Sequence, residues 1–185
     1  MGDPLRQRYA PIELADEGQI IEINDKISDY QRLSEIVGTD LAALDASQIP
    51  ADWAAAPLTG RLAFGYVGVD RRVPALEGEV WVEIDAVCQR CLGPFRLSLS
   101  AELKLLLSTP GHPISPREGY ETWELVEDRV QPAEIVEEAL IMAMPLSAKH
   151  ADRDACATVN GEPAPAGKTV RPFAALRAQM ETGDE

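Results

Sequence analysis

The sequence predicts an α+β fold: a mostly antiparallel sheet with a long central hairpin, packed on by a few helices. Three observations carry this. Val80, Val82, Ile84 and Ala86 alternate with Glu79, Trp81, Glu83 and Asp85, the period-two pattern of a strand with one buried face. Leu97, Leu99, Ala101, Leu103 and Leu105 repeat it against Arg96, Ser98, Ser100, Glu102 and Lys104, with Gly93-Pro94 as turn chemistry between the runs. Apolar residues then recur at three and four in two other stretches, residues 26–37 and 132–144, which predicts helices there.

In chain order, Tyr9–Leu14 and Gln19–Ile23 read as two short strands around an Asp16-Glu17-Gly18 turn. From Lys26 to Val37, Ile27, Tyr30, Leu33, Ile36 and Val37 form a helical stripe, with Asn24 or Asp25 placed to cap it and Gly38 to end it. Thr39-Asp40 opens a shorter helical stretch through Ala46. Trp53, in the connection from Ile49 to Pro57, is expected to be a lid on the core. Leu58 begins a second β pattern, in which Leu62, Phe64 and Tyr66 alternate with Arg61, Ala63, Gly65 and Val67; glycines there hint at a bulge or a close backbone approach. The prolines and glycines of residues 110–119 make a loop that also holds His112. Thr122–Val126 reads as an edge strand. Pro132 suits the first turn of a helix whose apolar stripe is Ile135, Val136, Ala139, Leu140 and Ala143, and Pro145 stops it. Asn160–Gly167 has linker composition, and Phe173, Leu176 and Met180 then lie at helical spacing.

The hairpin tip, Val87-Cys88-Gln89-Arg90-Cys91-Leu92-Gly93-Pro94-Phe95, carries two of the three cysteines. A C-x-x-C turn aims both sulfurs at one point, which suits a tetrahedral metal. Cys156, with His150, completes a Cys3His set of the kind structural zinc sites use, so Cys88, Cys91, His150 and Cys156 are candidate ligands of Zn2+. The alternative is that Cys88 is a small core residue beside Ala86. A thioredoxin-like redox pair needs a helix starting after the first cysteine, whereas here a strand follows.

The motif V-x-C-Q-R-C-L-G-P-F on a hairpin resembles the YceD family, the large ribosomal RNA subunit accumulation proteins. Two later stretches strengthen the resemblance: Glu134–Cys156, EIVEEALIMAMPLSAKHADRDAC, and Arg171–Leu176, with its proline-phenylalanine-x-x-leucine pattern. The similarity runs from about Gly60 to Leu176 in the same order and at similar spacing. Met144 stands where leucine is usual in the family, and Gln131-Pro132 where an acidic cap is common. The resemblance implies a non-catalytic accessory factor supporting accumulation and processing of large-subunit (23S) ribosomal RNA and ribosome assembly.

Charge bounds the partners. With 31 acids against 17 bases, the formal net charge is −14 over 185 residues. Wrapping nucleic acid unaided requires clustered Lys and Arg to neutralise phosphates, so the acidity points to a basic protein partner, a ribosomal or ribosome-assembly protein. It also serves solubility. Glu118 to Glu138 holds eight acids and one base, Arg129. Glu134, Glu137 and Glu138 are expected on or beside the outer face of the helix, as the partner-binding surface. Arg71, Arg72 and Arg90 read either as ordinary turn residues facing water or as the few sites of concentrated positive charge, and they are the side chains to test first for direct rRNA contact.

Three cysteines in a chain of this length do not make a disulfide framework, which predicts a reducing compartment. The first residues hold no apolar h-region and no run approaches membrane-spanning length, so the expected location is cytoplasmic, with no membrane partner. No nucleophile elbow, H-E-x-x-H or histidine pair is present, and the chain reads as a non-enzyme. The rival reading is a carboxylate-dependent RNA nuclease or RNA-modifying enzyme, since acids are plentiful. Domain limits are expected at residues 1–57 (N-terminal strands and helices of the same domain), 58–156 (core sheet, C-x-x-C hairpin and helix) and 157–185 (linker and short C-terminal helix).

Overall fold

A computed structural model describes residues 3–68, 73–111, 114–152 and 155–156. Five strands make one sheet in sequential order: β1 (Ile20–Lys26), β2 (Pro57–Val67), β3 (Val73–Val87), β4 (Pro94–Ser108) and β5 (Glu121–Glu124). All neighbours are antiparallel except β4 and β5, which are parallel. The fold is α+β, with the long β3–β4 hairpin at the centre. In the connection from β4 to β5 the Tyr120 hydroxyl donates to Glu77 of β3.

Register explains the layers. Partners opposite each other share a face, so Leu58↔Val82↔Leu99 and Phe64↔Leu76↔Leu105 stack across three strands on the core side. Val80, Val82 and Ile84 are buried, as the alternation requires. Three helices cover that face: α1 (Pro11–Glu17), α2 (Gln31–Leu41) and α3 (Pro132–Ala143). They contribute Leu14, Leu33, Val37, Leu41, Ile135, Val136 and Leu140 to a single core. The outer face carries Glu22, Arg61, Glu79, Glu102 and Lys104, which water solvates.

The N-terminal third differs from its sequence reading in three places. Tyr9–Leu14 is not a strand. Pro11 opens α1, Glu13 Oε2 accepts a hydrogen bond from the Ala10 N–H at 3.1 Å, and Gly18 closes the helix at φ 57°. Strand-like pairing survives only at Tyr9, which bridges Val130 in both directions. Second, β1 runs on to Lys26, a 3-10 turn occupies Ile27–Asp29, and α2 begins only at Gln31. Asn24 and Asp25 therefore cap nothing; the Leu33 N–H is instead accepted by Glu137 Oε1 of α3, 3.1 Å away. Third, α2 continues through Gly38, Thr39 and Asp40. Gly38 leaves room for Trp53: a Cβ there would lie 3.2 Å from the indole ring, so the tryptophan lid decides this residue.

Among the described residues Asp85 is the buried charge, 4% exposed on β3. Its Oδ1 pairs with Arg96 Nε at 3.0 Å, while Oδ2 has no hydrogen-bond partner among the described residues. Burial pushes its carboxyl pKa above the usual range, against the pull of Arg96. A carboxyl with a raised folded-state pKa stabilises most when protonated and loses that contribution as pH rises. Asp85→Asn, which keeps the neutral form, should therefore gain melting temperature relative to the native protein between about pH 3 and pH 7. A constant difference across that range would mean that the carboxyl titrates normally.

Candidate metal centre

β3 and β4 end together at the Val87↔Pro94 pair, leaving residues 88–93 to turn. The Cys88 N–H donates to Gly93 O at 2.9 Å and the Leu92 N–H to Cys88 O at 2.8 Å. Leu92 takes the left-handed conformation, φ 57°, which folds Cys91 back toward Cys88. Across the gap, α3 stops because Met144 is extended before Pro145. The chain that follows is fastened to the tip by the Gln89 N–H, which donates to Ala148 O at 2.8 Å. That bond delivers His150, whose ring packs on Phe95 with centroids 4.8 Å apart.

Four donor atoms converge. The Sγ atoms of Cys88, Cys91 and Cys156 and one ring nitrogen of His150 all lie within 4.8 Å of one another, close enough to hold a metal ion. Cys88 and Cys156 sulfurs are 3.8 Å apart, and His150 Nδ1 is 3.6 Å from Cys91 Sγ and 3.4 Å from Cys156 Sγ. Among the described residues this is the one such group of His, Cys, Asp or Glu. Cys88 is fully buried, as the core-residue reading also requires, and its sulfur is one of the four converging atoms.

Electrostatics favour thiolate at Cys88. Burial pushes that thiol up, but backbone N–H groups of Cys91, His150 and Arg90, with the His150 side chain, outweigh it and hold the pKa at about 5. Cys156 is raised by burial and by the neighbouring sulfurs, with Arg90 pulling the other way. Arg90 Nη1 stands 3.5 Å from Cys156 Sγ.

Of the other sequence-predicted residues, only Arg90 touches this cluster, among those described. Arg90 is exposed at the hairpin tip. Arg71, Arg72 and His112, together with the segment 157–185, lie outside the described residues. Glu134 is exposed, with Arg8 Nη2 3.9 Å away. Glu137 and Glu138 correct the expectation of an outer acidic face. They are half-buried and turned to α2: Glu137 caps its N-terminus, and Glu138 Oε2 pairs with Arg32 at 2.7 Å. Helical spacing put them beside the apolar stripe but could not show that α2 lies against that side.

A family profile described as "Large ribosomal RNA subunit accumulation protein YceD" matches residues 76–178, more than half of the chain. The chain belongs to the YceD family. In this YceD-family chain the match takes in all four converging donors, the β3–β4 hairpin, α3 and the segment after Cys156. No match to a curated protein or to a solved structure was found. Among the described residues no helix is long and apolar enough to cross a membrane.

Proposed function

We propose that Cys88, Cys91, His150 and Cys156 hold one Zn2+ as a structural cross-link. On the same reading, the protein is a cytoplasmic, non-catalytic accessory factor in large-subunit (23S) rRNA accumulation and ribosome assembly. The spacing of the donors carries the metal reading. A tetrahedral ion with Zn–S bonds of about 2.3 Å and a Zn–N bond of about 2.0–2.1 Å separates sulfurs by roughly 3.8 Å and sulfur from nitrogen by roughly 3.6 Å. Three of the six donor pairs stand at 3.8, 3.6 and 3.4 Å, and all six lie within 4.8 Å. Four protein ligands close the coordination shell, which suits a structural ion. Three thiolates with Zn2+ leave one net negative charge, which Arg90 offsets. The cross-link fastens the chain beyond α3 to the hairpin tip.

The family description supports the role in rRNA accumulation, and the acidity supports contact through a basic ribosomal or assembly protein. Glu134 is the member of α3 available for that contact, with Glu124 and Glu127 exposed beside it. Arg71, Arg72 and Arg90 are the side chains proposed for direct contact with rRNA. Affinity capture from cells tests the acidic surface. Reversing Glu124, Glu127 and Glu134 to lysine should weaken recovery of the basic partner, more at low salt than high, because exposed charges are screened beyond about 10 Å at 0.1 M. Glu137 and Glu138 stay untouched in that variant, since reversing them would also disturb α2. Equal recovery at low salt would leave the acids as solubilising groups. Incubating the purified protein with large-subunit RNA precursors and Mg2+ should leave the RNA intact; cleavage would establish the nuclease reading instead.

A further inference from the structure

A groove of about 760 Å³ opens between α2, the end of β3 beyond its last β2 partner, and the turn after α3. Leu97 and Met144 line its apolar part, and Ile36 and Leu146 expose large apolar side chains at it, Leu146 fully. Glu35 and Asp40 make its charge negative, while Arg32 and Asp85 at its wall are already paired, with Glu138 and Arg96 respectively. Such a surface fits an amphipathic segment with an apolar stripe and basic neighbours.

The chain carries one. Phe173, Leu176 and Met180 recur at three and four, with Arg171 before them and Arg177 between Leu176 and Met180. The YceD match runs to residue 178 and so takes in most of this stretch. We propose that residues 171–180 dock in this groove of their own chain, with the apolar stripe on Leu97, Met144 and Ile36 and the arginines toward Glu35 and Asp40. The tether is long enough and starts in the right place. Cys156 Sγ lies 3.8 Å from that of Cys88, and the next residue, Gln89, lines the groove. Phe173 is seventeen residues further on, a reach of up to about 55–60 Å when extended. Linking on this scale keeps the segment at a millimolar-order effective concentration, so a modest apolar contact holds it. The contact does not depend on the metal, because Gln89 and Ala148 already join the tip to the turn after α3.

Amide hydrogen exchange on the full chain tests this, with Phe173→Ala/Leu176→Asp as the tail variant and Ile36→Asp as the groove variant. Ile36 is 38% exposed, so its replacement spares the core. Both variants should raise exchange at residues 36–43 and 144–148 by about tenfold, while the β3–β4 hairpin keeps its protection. A photo-crosslinker at position 173 should join those same segments within one chain. Unchanged exchange in the tail variant would overturn the proposal, as would crosslinks confined to other surfaces. Protection that falls on dilution, with crosslinks between chains, would overturn it in favour of a second copy as the occupant.

Discussion

Cys91→Ser and Cys156→Ser are each expected to abolish stoichiometric zinc binding and to lower the melting temperature by roughly 5–20 °C. The range follows from the cross-link. Cys88 and Cys156 are 68 positions apart, and removing a native cross-link that closes a loop of this order costs about 2–5 kcal/mol. For a fold of this size, each 1 kcal/mol is worth about 2–4 °C. The sheet and its helices should survive, because their core is formed without the site. Acid should act in the same direction. Backbone N–H groups hold the Cys88 pKa at about 5 in the metal-free protein, and protons compete with the ion for all four ligands as pH falls. In metal-free protein the same depressed pKa contributes stability that is present above the unfolded thiol value of about 8.5 and lost as pH falls through the folded one. Elemental analysis of protein purified without chelator, beside melting curves, decides the matter. Less than about a tenth of an equivalent of metal, with a wild-type melting curve for Cys156→Ser, would leave the cysteines as packing residues.

Gly78→Ala should destabilise the sheet by roughly 1–3 kcal/mol, or about 3–10 °C. The reason is a close approach between β2 and β3. A Cβ on Gly78 would stand 2.5 Å from Arg61 O and 2.9 Å from Leu62 Cδ2, and one on Gly60 would stand 2.5 Å from Glu79 O. Backbone carbonyls cannot move aside as a flexible side chain can, so the two strands must separate. Gly65→Ala is the control, since nothing lies within 4 Å of its added methyl. Melting curves of the three variants should place Gly78 and Gly60 well below Gly65. Equal curves for Gly78→Ala and Gly65→Ala would mean that the strands tolerate the added carbon.

These glycines show where sequence reading stops. The second β pattern drew attention to Gly65 and its neighbours, but the close approach falls at Gly60 and Gly78, one on each of two paired strands. Nothing in either strand alone reports the register that sets them against each other's carbonyls. Tyr9–Leu14 is helical from Pro11 on for a local reason: Pro11 suits a first turn and Glu13 caps it.

The sequence by itself determined the central hairpin, the α+β class, α3 with its proline start and stop, and the identity of the four donors. Those follow from periodicity, turn chemistry and ligand type, which are local properties of the chain. Tertiary structure decided the rest. It alone brings His150 and Cys156 to the tip, through the Gln89–Ala148 bond across the end of α3. It turns Glu137 from a surface charge into the cap of a helix 104 positions away, and lets Trp53 occupy the space above Gly38. The physical reason is common to these cases: a contact between distant segments depends on register and packing, which arise only when the whole core closes.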